Sequence, residues 1–162
     1  MKIFHTSPSL INNVTRKTTS EVDFSGCLFF SDDVYTMTQS REIHLYSVEL
    51  TEDDIIDASD LEDVDIDGQS ATETLIRYAA ACGFDLEEDD AIDLLDASST
   101  AWELFDGEEV CYLDWYVQGI QGRAAREMGF VACRSEDEQG TVYIIDAHQR
   151  DEILNHEGQE AA

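Results

Sequence analysis

The sequence predicts an α+β fold, with strands gathered at the two ends of the chain and helices between them. Three observations carry this. Short apolar runs lie near residues 2–6, 26–31 and 42–50, the first and last of these with a two-residue period, and again at 130–134 and 141–146. Apolar residues at three- and four-residue steps lie in the middle of the chain. Strands segregated from helices favour α+β over an alternating, doubly wound sheet.

The elements follow in order. Residues 2–6 (KIFHT) alternate and then meet Ser7-Pro8, which predicts a strand opening onto a turn. Residues 9–25 are polar without a period and read as a loop. Residues 26–31 (GCLFFS) read as a buried strand. In 42–50 (EIHLYSVEL), Ile43, Leu45, Ser47 and Glu49 share one face while His44, Tyr46, Val48 and Leu50 share the other, the spacing of a strand covered on both sides. Thr51 before a run of acids predicts the cap of a short helix carrying Ile55 and Ile56. Residues 57–69 are mostly Asp, Glu, Gly and Ser and read as a solvated loop.

Ser70-Ala71-Thr72-Glu73 has the form of a capping box, in which two side chains satisfy free N–H groups of the first turn. The helix it opens carries Leu75, Ala79 and Cys82 and stops at Gly83. A second acidic helix is predicted near 87–96. The longest covers 108–128, where Val110, Leu113, Val117, Ile120, Ala124 and Met128 repeat along one face. Gly119 and Gly122 weaken it by roughly 1 kcal/mol each relative to alanine, and suit the close approach of a neighbouring element. Two strands then flank Ser135–Gly140, and a closing helix is predicted near 149–155. We expect one domain over 1–162, with a divergent acidic helical segment at about 57–108.

Charge bounds the partners. Thirty-seven acids against nine bases leave −28 over 162 residues. Such a surface repels nucleic-acid phosphates and anionic lipid, and is drawn to basic surfaces. It equally serves plain solubility, and its carboxylates would also suit a non-enzymatic DNA mimic seated in a basic groove. The four cysteines, Cys27, Cys82, Cys111 and Cys133, stand in apolar stretches without a C-x-x-C pair. That predicts buried thiols in a reducing cytosol rather than disulfides or zinc, so no metal site is expected. The N-terminus lacks a secretion signal and no run reaches membrane-spanning length, so an intracellular, membrane-free protein is expected. The glycine-rich phosphate loops and the G-x-S-x-G elbow are missing, which argues against Rossmann, P-loop and hydrolase chemistry.

Three segments carry candidate chemistry. His5-Thr6-Ser7-Pro8 puts hydrogen-bonding groups at a strand end. Phe29-Phe30-Ser31-Asp32-Asp33-Val34-Tyr35 places aromatic residues around an acidic turn, suited to a flat cationic ring. Glu136-Asp137-Glu138-Gln139-Gly140 sets carboxylates between two strands, where a fixed acid steadies positive charge on a sugar as a glycosidic bond breaks. Each taken alone reads more simply as a capped turn or a solvated hairpin.

Together, and in this order, the segments resemble the motifs of the type I-F anti-CRISPR ADP-ribosyltransferases: Ile3–Pro8 their opening, Phe30–Thr38 their second motif, and Asp137–Thr141 with Tyr143, Ile145 and Asp146 their third. The resemblance implies a split mixed β-sheet with flanking helices and a cleft that takes NAD. It implies that His5 contacts the nicotinamide-side ribose, and that Thr6 and Ser7 hold the nicotinamide amide or ribose. Phe30 and Ser31 belong to the second motif, and Tyr35 would stack on the nicotinamide. The resemblance makes Asp137 and Glu138 the candidates for the catalytic acid. It further implies transfer of ADP-ribose to an asparagine on the type I-F CRISPR surveillance complex, on the subunit that reads the motif flanking target DNA. The setting would be the host bacterial cytoplasm.

Overall fold

A computed structural model describes residues 1–15, 26–34, 42–137 and 139–161, with residues 160 and 161 described as backbone only. The motif residues Tyr35 and Glu138 lie outside the described residues, as does most of the predicted loop 9–25. Three strands form an antiparallel sheet in the order β1 (Lys2–Ser7), β3 (Glu42–Glu49), β9 (Asn155–Ala161). Four form a mixed sheet in the order β2 (Cys27–Phe30), β8 (Gly140–Asp146), β7 (Ala132–Asp137), β4 (Ile55–Asp57), with β4 parallel to β7. One bridge joins the two sheets: Phe4 and Ser31 exchange backbone hydrogen bonds of 2.9 and 3.0 Å.

The two-residue period of the strands divides the interior. Phe29, Ile144, Cys133 and Ile56 are register partners across the four-stranded sheet and belong to the core beneath the helices. Residues one step along point the other way. Phe30, Tyr143, Ile145, Ala132 and Ile55 pack with Ile3, Val48 and Leu50 of the three-stranded sheet side. The helix α4 (Val110–Glu127) lies on the first face. It can approach closely because of Gly122, where a Cβ would stand 2.7 Å from Ile144 Cγ2 and 2.8 Å from Cys27 Sγ.

Segment 57–108 packs onto α4. It comprises a two-stranded ribbon, β5 (Asp65–Ile66) and β6 (Gln69–Ser70), then α1 (Ala71–Ala81), α2 (Glu88–Leu95) and α3 (Ala101–Leu104). Ser70 caps α1, its Oγ accepting from Glu73 N at 3.2 Å. Gln121 of α4 donates from Nε2 to the carbonyls of Leu94 and Leu95 at 3.2 and 3.1 Å, which closes the end of α2. Three arginines pair with carboxylates of the chain itself. Arg123 pairs with Asp67 in the ribbon turn, Arg126 lies 3.5 Å from the buried Asp146, and Arg134 holds Asp57 at 2.6 Å.

The structure corrects several expectations. The predicted closing helix at 149–155 is a single 3-10 turn, Asp151–Ile153, followed by β9. Its polar sequence forms a strand because the edge of β3 supplies backbone partners, in a register interrupted by a bulge at Leu45/Tyr46. Thr51 does cap a turn, but one confined to Glu52–Asp54, and Ile55 and Ile56 form β4. The stretch 57–69 is not a solvated loop throughout, since Ala58, Leu61 and Ile66 are buried. Strand β7 runs on through Asp137, so the first two acids of the 136–138 run belong to a strand rather than a turn. Its outward-facing acid is satisfied across the ladder, where Thr141 Oγ1 donates to Glu136 at 2.9 Å. The cysteines form no disulfide, but only Cys27 and Cys133 are buried, with Cys82 and Cys111 half-buried. Burial pushes the Cys133 thiol up to about 12, so it is inert as a nucleophile.

Candidate functional site

The notch in the sheet has a simple origin. Strand β2 pairs with β8 only as far as Phe30↔Tyr143, whereas β8 extends further, through Val142, Thr141 and Gly140, paired on its β7 side alone. Beyond Phe30 the chain takes the single bridge to β1 and turns away through Asp32 and Asp33. Ser31 Oγ donates to the carbonyl of Asp33 at 2.5 Å and fixes that turn. Between β1 and the free start of β8 this leaves a cavity of about 470 Å³. Pockets for organic ligands typically span about 300–1,000 Å³.

The cavity gathers residues from all three motifs. His5 and Thr6 come from β1, Phe30 and Ser31 from the end of β2, and Asp137 from the end of β7. Asp32, Asp33 and Val34 continue the second motif along the wall, and Gln139 and Thr141 continue the third. Ser7, by contrast, is not among the lining residues. Its Oγ donates to the Ser9 carbonyl at 2.7 Å, closing the turn that Pro8 begins.

His5 has a defined protonation. Its Nδ1 stands 2.8 Å from the carbonyl oxygen of Phe29. A carbonyl only accepts, so Nδ1 carries the proton. Burial lowers the pKa of His5, a shift opposed in part by the Phe29 bond. The neutral imidazole therefore keeps a bare Nε2, an acceptor for a hydroxyl group. Phe30 lies against the ring, with centroids 5.4 Å apart. At the hairpin, Asp137 accepts from the backbone N–H of Gln139 at 2.8 Å, which orients the carboxylate while leaving it exposed.

These lining groups suit one half of NAD in particular. A neutral histidine, aromatic rings and carboxylates match a cationic pyridine ring and its hydroxylated sugar. Among the described lining residues none is basic, so they offer no ion pair to the pyrophosphate half. Among the described residues no group of three or more His, Cys, Asp or Glu is arranged to hold a metal, and no helix is long and apolar enough to cross a membrane.

The split mixed sheet with flanking helices, opened by a cavity at its notch, is the α+β architecture of an ADP-ribosyltransferase-like fold. The sequence places the chain more narrowly. Residues 1–152 match the model of the anti-CRISPR type I-F ADP-ribosyltransferase AcrIF11 family, and the chain belongs to that family. It is an NAD-dependent mono-ADP-ribosyltransferase, with NAD as co-substrate. Among curated proteins none matches the sequence. A solved structure described as an anti-CRISPR protein is similar at 20% identity over 90% of this chain and 88% of that chain, with a TM-score of 0.49.

Sequence reasoning missed the depth of the site. The family resemblance pointed to His5 and to Asp137 or Glu138, but the placing of Asp32, Gln139 and Thr141 on the cavity wall depends on where β2 stops relative to β8. Only the register shows that.

Proposed function

We propose that this transferase attaches ADP-ribose to an asparagine on the DNA-motif-reading subunit of a type I-F CRISPR surveillance complex, in the bacterial cytoplasm, and thereby blocks target DNA binding. The observation that carries this reading is the cavity at the sheet notch, lined from one side by His5 and from the other by Asp137. Bound NAD supplies the ADP-ribosyl group and a pyridine base that departs neutral.

The residues divide the work. His5, neutral and with Nε2 bare, accepts from a hydroxyl of the nicotinamide-side ribose. Thr6 and Ser31 supply neighbouring polar contacts and Phe30 the apolar wall. The Asp137 carboxylate, fixed by the Gln139 amide, steadies the positive charge that develops on the ribose. The attacking amide nitrogen is a weak nucleophile, so holding it in line supplies much of the rate. The −28 net charge favours encounter with a basic face, such as a DNA-reading surface presents.

The test combines the protein, at one part in a hundred, with labelled NAD and a type I-F complex. Label should appear on one subunit with the mass increment of one ADP-ribose, and DNA binding should fall in step. Inhibition that needs stoichiometric protein and no NAD would replace this reading with that of an acidic DNA mimic.

A further inference from the structure

Helix α4 buries one side and leaves aromatic rings in water on another. Over its first half Val110, Leu113 and Val117 belong to the core beneath the helices. Tyr116 is held sideways, its ring stacked on Tyr78 of α1 with centroids 3.7 Å apart. Tyr112 and Trp115 stand three residues apart, and so share one side of the helix. Their rings meet edge-on at 6.1 Å, and they are 37% and 38% exposed. Trp102 lies on α3, which packs against α4, and is 45% exposed. Among the described residues no other Phe, Tyr or Trp is exposed, and the three include both tryptophans of the chain. Large rings held in water on a rigid helix are what protein interfaces bury.

Charge decides what can cover these rings. From Ala101 to Gln118 the sequence holds five acids and no base. Glu103, Asp106, Glu108 and Glu109 are exposed, and the half-buried Asp114 accepts from Gln118 Nε2 at 3.2 Å. A second copy of the chain would bring its own −28 against these acids. Anionic lipid and nucleic acid are repelled in the same way. An arginine side chain suits both halves of the surface, because its guanidinium stacks on Trp and Tyr faces while its charge meets the carboxylates. The surface also adjoins the transfer site. Asp114, Val117 and Gln118 share the wall of a small cavity with Ser135 and Glu136 of β7, the strand that ends in Asp137. The turn of α4 that carries Tyr112 and Trp115 thus flanks the strand that delivers the candidate acid.

We infer that the Tyr112–Trp115 face, with Trp102 of the abutting helix, is a docking surface for an arginine-bearing basic segment of the protein substrate. The inference rests on the proposed reading that this transferase modifies a protein, and it adds where that protein is gripped. Grip and chemistry are then divided between two places. The rings and carboxylates of α3 and α4 hold the substrate, and the notch between the sheets carries out the transfer. Loss of the rings therefore weakens capture of the substrate and leaves both NAD binding and transfer within the captured complex intact.

The experiment has two arms, both on the full chain. In the first, calorimetry titrates a short Arg-Gly repeat peptide into wild type at about 0.15 M salt, with a Glu-Gly repeat as control. The arginine peptide should bind and shift the tryptophan fluorescence, since both tryptophans stand on this surface, and the glutamate peptide should not bind. Tyr112→Ala combined with Trp115→Ala should weaken peptide binding about tenfold, the scale of an interface anchor, with thermal midpoint and NAD affinity as in wild type. Trp115→Phe, which keeps a ring, should lose much less. In the second arm, label passes from NAD to the type I-F complex. The double variant should label about tenfold more slowly below saturation, and at the wild-type rate once the complex saturates it. Equal peptide binding by wild type and the double variant would leave acidity alone responsible and overturns the inference, as does equal labelling at every concentration of complex. A dimer in sedimentation that the double variant abolishes gives the surface to a second copy and also overturns it. A wild type that binds the arginine peptide through these rings yet labels no subunit overturns the target reading alone.

Discussion

The two faces of the four-stranded sheet are built from the same strands, one residue apart, and they do different work. On the helix side the row reads Ile56, Cys133, Ile144 and Phe29, sealed by α4 at a glycine. On the other side the next row reads Asp57, Arg134, Tyr143 and Phe30, ending at the cavity. The first row is apolar and stabilises by exclusion of water. The second spends polar groups to hold a position. A strand period of two lets one sheet serve as a core wall and as the frame of a site, with neither role constraining the other.

That separation can be broken from either side. The largest effect should come at the site. Asp137→Ala should lower transfer by about a hundred- to a thousandfold, as for loss of a preorganised charge-stabilising group, with a thermal midpoint close to wild type. If it unfolds the protein instead, the hairpin belongs to the structural half. Next comes the helix side. Gly122→Val puts a side chain into Ile144 and Cys27, and should cost about 1–3 kcal/mol of stability in denaturant titrations. Transfer per folded molecule should remain near wild type, and a matching loss of turnover would show that the two faces are coupled.

The smallest effect is on pH. The pKa of His5 is lowered by burial, so the folded state resists its protonation while the unfolded chain does not. This contribution to stability is complete above the ordinary histidine value of about 6.5, and is lost as pH falls through the lower folded value. Replacing His5 by Gln should flatten that part of the stability-versus-pH curve. A curve unchanged between the two proteins would place the imidazole in water.

Much of this was legible in the sequence, for identifiable reasons. Helix α4 was legible because Val110, Leu113, Val117 and Ile120 repeat at helical spacing, and α1 because Ser70 advertises its cap. His5, Thr6, Phe30, Ser31 and Asp137 were legible through motif order, and the cavity brings them together. Strand β9 was not, because NHEGQEA has no apolar alternation and is a strand only by virtue of the edge it covers. The row from Asp57 to Phe30 was not legible either. Its members lie far apart in sequence, and meet through three strand pairings that no local pattern encodes.

The pairing of arginines within the chain has a consequence for how the molecule responds to its medium. Arg123, Arg126 and Arg134 each lean on a carboxylate of their own chain, and with nine bases against thirty-seven acids the molecule carries a strongly anionic shell. Dissolved ions act on that shell in two opposing ways. They relax the mutual repulsion that strains the compact state, and they mask the long-range pull that the shell exerts on any basic surface. Ionic strength that makes this protein sturdier therefore also weakens its attraction to basic surfaces.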